Sequence, residues 1–213
     1  MKRKVKTKVK GFRTTDGAGV KLVRVLGNLT TKEFDPILML DSFDSINPDD
    51  YTAGFPMHPH RGIETISYVS RGKMVHRDSL GNEAGISDGE VQWMNTGSGI
   101  MHEEMVPAAE RLLGVQLWLN LPAKDKMSKP SYNSIKNEDI KEIEIEGGKI
   151  RLLAGKYGEH EGYKGDYLSM DYYDIHLNAD AEVTLTMEED DSVMVFTLLG
   201  AVSYTHLTLP TIA

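Results

Sequence analysis

Short runs of apolar and β-branched residues recur roughly every ten positions along the chain, separated by polar turn residues. The runs VKLVRVL (20–26), PILMLDSF (36–43), ETISYVS (64–70), GKMVHRDS (72–79), EVQWMNT (90–96), GIMHEEMV (99–106) and GVQLWLNL (114–121) lie between turn signals such as RGK, LGN, SDGE and GSG. Runs of this length and alternation predict strands, and so many of them before Leu121 suffice to close a small barrel. A polar segment containing a proline, PAKDKMSKPSYNSIKNED (122–139), then breaks the pattern. Residues 125–140 are therefore expected to be a connector holding a short helix. Strand signals resume in KEIEIE (141–146), GKIRLLAGKYG (148–158), DYLSMDYYDIHLN (166–178), AEVTLTME (181–188) and SVMVFTLLGAV (192–202). The pattern predicts an all-β chain of two β units in series, residues 1–124 and 141–213.

Composition supports this picture and removes several function classes. At 213 residues and 40% hydrophobic content the chain can bury a sizeable core, and its 20 glycines and nine tyrosines suit many tight turns between strands. No apolar run approaches the ~20 residues of a membrane-spanning helix. The start, MKRKVKTKVKGF, lacks the apolar centre of a secretory signal, and its lysines alternate with Val5, Thr7 and Val9 at strand period. It is expected to form a charged edge strand, and the chain to be cytoplasmic. With no cysteine, any metal must be held by His, Asp, Glu or backbone oxygen. Nine of the 24 Lys and Arg fall in residues 1–24 against one acid, which leaves 15 against 31 in the remainder. A body with that acidic excess repels a phosphate backbone, so no direct nucleic-acid ligand is expected.

The chemistry gathers at two short stretches. In GFPMHPHRGIETISYV (54–69), His58 and His60 stand two apart around Pro59, which biases His58 toward extended backbone. On a strand, residues i and i+2 share a face, so both imidazoles point the same way. In GSGIMHEEM (97–105) the spacing recurs with His102 and Glu104, just after a glycine-rich turn. A barrel can bring the two stretches side by side. Three neutral imidazoles and a carboxylate then form a site suited to iron, copper, nickel, manganese or zinc. A lone histidine is more often a hydrogen-bonded core or surface residue, and His76, His160, His176 and His206 are read that way. Trp93, Met94 and Trp118 are read as barrel packing. Met57, Arg61 and Met105 flank the ligands and can line the mouth of the site. The acidic run at Glu188–Asp191 is read as a solvated hairpin turn.

The stretches GFPMHPHRGIETISYV, VQWMNTGSGIMHEEM and QLWLNLPAKDKMSKPSY resemble the signature segments of the pirin family, in the cupin superfamily, over most of residues 17–135. The resemblance implies a bicupin, two cupin-type β-barrels in one chain, with a single non-haem iron, Fe(II), in the N-terminal barrel. It implies His58, His60, His102 and Glu104 as the metal ligands; in the enzyme reading Glu104 is also expected to accept the substrate's hydroxyl proton. The general cupin pattern counts a glutamate shortly after its HxH pair as a ligand, and Glu64 sits there. Strand parity with His58 and His60 points Glu64 inward, so it stands as the reserve ligand behind Glu104, supporting the ligands by resemblance to pirins. The implied activity is a dioxygenase that uses dioxygen on quercetin-like flavonols or other polyphenols. The other reading is a non-catalytic, redox-responsive iron protein that binds a protein partner. The last stretch, VSYTHLTLPTIA (202–213), resembles a translated adapter sequence rather than family sequence. It is expected to pack poorly and to leave the second barrel truncated, with an unpaired sheet edge.

Overall fold

The computed structural model describes residues 4–204 and 207–210. The chain opens with the hairpin β1 (Phe12–Asp16) and β2 (Val20–Leu26), one helical turn (Thr31–Phe34), and β3 (Ile37–Ser45). Next come β4 (Phe55–His60), β5 (Ile63–Arg71), β6 (Lys73–Asp78) and β7 (Glu83–Ser87), followed by β8 (Glu90–Asn95), β9 (Ile100–Met105), β10 (Leu112–Asn120) and β11 (Ser131–Ile135). The second half contributes β12 (Lys141–Ile145), β13 (Gly148–Ala154), the short pair β14 (Lys156–Tyr157) and β15 (His160–Glu161), then β16 (Tyr172–Leu177). A hairpin of β17 (Ala201–Tyr204) and β18 (Leu207–Pro210) ends the described chain.

The first half closes as two antiparallel sheets face to face. One has seven strands in the order β1-β2-β3-β10-β5-β8-β11, the other four in the order β4-β9-β6-β7. Apolar side chains from both sheets, among them Leu22, Phe43 and Val69 from the first and Phe55, Met74 and Ile86 from the second, pack into a core at one end. The seven-stranded sheet also buries its other face. Ile66 and Tyr68 of β5, Val91 and Trp93 of β8, and Val115, Leu117 and Leu119 of β10 form a second core with Leu153 and Ala154 of β13. Both faces of β5, β8 and β10 are buried along most of their length, although polar residues such as Ser67, Gln92 and Gln116 alternate there with apolar ones. The second half packs there through the three-stranded sheet β12-β13-β16, with Tyr163, Leu168 and Tyr172 against the same core.

Several expectations are revised by the pairing. Residues 4–11 carry the strand-like lysine alternation but no strand; the ladder begins at Phe12, opposite Arg24, and Val9 instead docks on the apolar core. Within the expected connector, SYNSI forms β11 and pairs along all of β8, so this segment finishes the first sheet. The turn at Glu188–Asp191 is present, with Asp191 N donating to Glu188 O at 3.2 Å. Its flanking runs AEVTLTME and VMVFTLL form no strand. The tail corrects the expectation of an unpaired end: β17 and β18 pair regularly, with Val202 opposite Leu209 and Ser203 opposite Thr208. That hairpin joins no other sheet among the described residues, and the packing of Leu207 and Leu209 lies outside the described side chains.

Candidate metal centre

The four-stranded sheet sets the site by register. β4 and β9 pair antiparallel with His58 directly opposite His102 and Pro59 opposite Met101, so the three histidines share the inner face. Two glycine turns fasten these strands. Gly62, at φ +72°, ends β4 and donates its N–H to Gly97 O at 2.8 Å. Gly97, at φ +42°, approaches Ser128 so closely that a Cβ there would lie 2.1 Å from the Ser128 carbonyl oxygen. Only glycine fits, and the GSG turn thereby delivers β9 in the correct register.

The imidazoles of His58, His60 and His102 converge with ring centroids 4.3 to 5.0 Å apart, and one nitrogen from each lies within 4.8 Å of the others. His58 Nδ1 lies 2.8 Å from Pro56 O, which places its proton there and leaves Nε2 as a lone-pair donor. His58 Nε2 and His60 Nε2 are 3.0 Å apart. Two nitrogens bound at right angles to one ion at ~2.1 Å would stand about that far from each other. His102 Nε2 is buried and has no hydrogen-bond partner in the protein. An unpaired buried nitrogen beside two other imidazoles fits a metal ligand and is costly otherwise. Burial, reinforced by neighbouring His58, pushes the His60 pKa down to about 4. Burial, with His58, His60 and His76 close by, pushes that of His102 down to about 2. His60 and His102 are therefore neutral at physiological pH, the form that binds metal.

Glu104 is buried and faces the same interior, but its carboxylate does not join the three imidazoles within that 4.8 Å cluster. Gln116 Nε2 donates to its Oε2 at 3.0 Å, and Gln92 Nε2 donates to its Oε1. Burial raises its pKa, opposed first by the Gln116 hydrogen bond and then by His76 and His58. Glu64, expected to point inward, lies on the opposite face of the sheet. Its Oε1 accepts from Trp93 Nε1 at 2.9 Å, while its Oε2 is buried and unpartnered. The turn at Gly62 separates β4 from β5 and resets the parity, so counting across it from His60 fails.

Sequence reasoning missed several neighbours. Trp118 meets His60 edge-on at 4.9 Å, and its buried Nε1 has no partner; nor has the hydroxyl of its cross-strand neighbour Thr65. Trp93 packs outward, against Tyr163, rather than into the site. His76 is fully buried behind His102, and Tyr132 of β11 stacks on it at 4.0 Å. A missed sequence signal existed: His76 and Asp78 repeat the i, i+2 spacing of the other two pairs. At the mouth, Arg24 binds Asp41 through Nε at 2.9 Å and Nη2 at 2.7 Å, and also reaches Asp16. Arg61 lines an open depression of about 500 Å³ next to His60, whereas Met57 and Met105, exposed on the surface, are not among the residues that line it. His176 bonds Asp174 on the second half, His160 is exposed, and His206 lies outside the described residues.

An all-β chain whose first barrel gathers three histidines on one inner wall, in a cluster that could hold a metal ion, has the features of a cupin. The pirin family model matches residues 19–119. A pirin-like protein of Caulobacter vibrioides is 40% identical over 94% of this chain and 74% of its own length. A Pseudomonas aeruginosa protein provisionally named a quercetin 2,3-dioxygenase is 42% identical over 91% of this chain and 70% of its own. The crystal structure of a quercetin 2,3-dioxygenase from Acinetobacter baumannii superposes with a TM-score of 0.82 at 30% identity, covering 95% of this chain and 74% of that one. The chain belongs to the pirin family, and its fold is the bicupin arrangement of two cupin-type barrels. Among the described residues no helix is long and apolar enough to cross a membrane.

Proposed function

We propose that this chain is a metal-dependent dioxygenase acting on flavonol or other polyphenol substrates, with iron(II) as its metal. The observation that carries the reading is the buried, unpartnered Nε2 of His102 facing His58 and His60. His58, His60 and His102 would hold the metal, with Glu104 as the fourth donor. The bound metal would supply Lewis acidity and a redox centre for substrate and dioxygen. The protein groups do the rest. Trp118 Nε1 and Thr65 Oγ1 are free to hydrogen-bond substrate oxygens, and the Trp118 ring offers a wall beside His60 for a flat aromatic ligand. Glu104, made more basic by burial, accepts the substrate hydroxyl proton at a carboxylate oxygen while Gln92 and Gln116 hold the carboxyl in place. The test is anaerobic loading with iron(II), followed by oxygen uptake with a panel of flavonols and catechols. Uptake with at least one polyphenol and its loss in Glu104→Ala support the reading. No turnover by the metal-replete protein across the panel overturns it.

A further inference from the structure

Behind the histidine cluster lies a buried chain of polar groups that the proposed reaction does not use. His76 and Asp78, two apart on β6, have fully buried side chains, and His76 Nε2 lies 2.9 Å from Asp78 Oδ2. The Asp78 carboxylate is fixed in turn by the N–H groups of Leu80 and Asn82 on Oδ1 and by Asn82 Nδ2 at 2.8 Å on Oδ2. On the other side, His76 Nδ1 faces His102 Nδ1 at 3.4 Å. Tyr132 stacks on the His76 ring at 12° to its plane, so the ring has little freedom to turn.

The donor count then runs in one direction. An ionised carboxylate only accepts, so the His76 nitrogen that faces Asp78 carries the proton. A neutral imidazole has one N–H, which leaves His76 Nδ1 as an acceptor. His102 Nδ1 must then be the donor across the 3.4 Å contact, and His102 Nε2 is left as a bare lone pair. That is the atom the structure leaves buried, unpartnered and facing His58 and His60. We propose that Asp78 and His76 form a positioning dyad that fixes the tautomer and ring orientation of His102, presenting its Nε2 lone pair to the metal. The inference deepens the metal reading above and rests on it. At 3.4 Å the His76–His102 contact is long, so its effect is on tautomer and aim more than on fold stability.

The test begins with the metal-free protein, labelled with nitrogen-15 in its histidines, whose two-bond proton–nitrogen correlations report each imidazole tautomer. The expected spectrum shows His102 protonated on Nδ1 and His76 on Nε2; His102 protonated on Nε2 would overturn the proposal. That measurement needs no variant to fold and no metal to bind, so it is decided separately from the dioxygenase reading. His76→Phe keeps a ring against Tyr132 but removes the acceptor. It should shift His102 toward the Nε2-protonated form and weaken iron(II) binding, measured anaerobically by chelator competition, by roughly 10–100-fold. His76→Gln returns an acceptor oxygen and should recover most of that loss. An unchanged His102 tautomer and unchanged iron affinity in His76→Phe would show that His76 is packing only. Failure of the wild-type protein to retain iron with the expected tautomers present would sink the metal reading instead.

Discussion

The two faces of the seven-stranded sheet are built from the same three central strands and do opposite work. On the inner face, Gln92 and Gln116 donate to Glu104 while Ser67 Oγ accepts from both amides, opposite a wall of histidines. On the outer face, the alternate residues Ile66, Tyr68, Trp93, Val115 and Leu117 form an apolar layer covered by the second half of the chain. Among the carboxylates buried against the two faces, Glu104 on the inner side and Glu64 on the outer side make an instructive contrast. Glu104 has amide donors on both oxygens, whereas Glu64 has one indole donor and an unpartnered oxygen. A buried carboxylate that is fully hydrogen-bonded can serve as a fixed functional group; one that is half satisfied is a standing cost. The inner face gathers hydrogen-bonded polar groups beside the histidines, and the outer face supplies apolar cohesion.

Three substitutions should separate the two roles, the largest effect first. Trp93→Ala removes the largest side chain of the outer layer and the donor to Glu64, and should destabilise the protein by about 3–5 kcal/mol, read by denaturant unfolding. The folded fraction should still bind iron(II) as the wild type does; selective loss of metal affinity would break the division between the faces. Gln116→Met keeps the volume but removes a donor to Glu104. It should lower iron(II) affinity by roughly 10–100-fold, and an unchanged affinity would mean that Glu104 needs no such support. Glu64→Gln has the smallest effect. Burial raises the Glu64 pKa, so its favourable contribution is complete below the ordinary glutamate range and is lost as pH rises through the raised value. Glutamine keeps the acceptor for Trp93 without the charge. The variant should melt higher than the wild type at pH 8, by about 2 °C, the scale of a gain just under 1 kcal/mol, and the gap should close at pH 4. A variant that is less stable at pH 8 would mean that the Glu64 charge is compensated.

The comparison also shows what the sequence could and could not convey. The i, i+2 pairs His58/His60 and His102/Glu104 were legible because strand periodicity alone fixes which side chains share a face, and β4 and β9 obey it without interruption between the paired residues. Glu64 was misplaced because the positive-φ turn at Gly62 intervenes, and parity does not carry across a turn. His76 was set aside as an isolated histidine, although its partner Asp78 follows at the same spacing; its role depends on β6 pairing with β9, a long-range contact that local pattern does not specify. The same reason explains the strands. β7, with a glycine in its five residues, exists through its pairing with β6, whereas AEVTLTME has the alternation of a strand but forms none among the described residues. Pattern gave the propensity, and partners decided the outcome.

The central claim is that the inner wall of the first barrel holds one metal ion through His58, His60, His102 and Glu104. Elemental analysis of protein loaded anaerobically with iron(II) and then desalted tests it most directly, with the wild type compared against His60→Ala and His102→Ala. The account predicts one iron per chain in the wild type and essentially none in either variant, with both variants still folded by circular dichroism because each substitution lies outside the two apolar cores. Undiminished iron in both variants would contradict it.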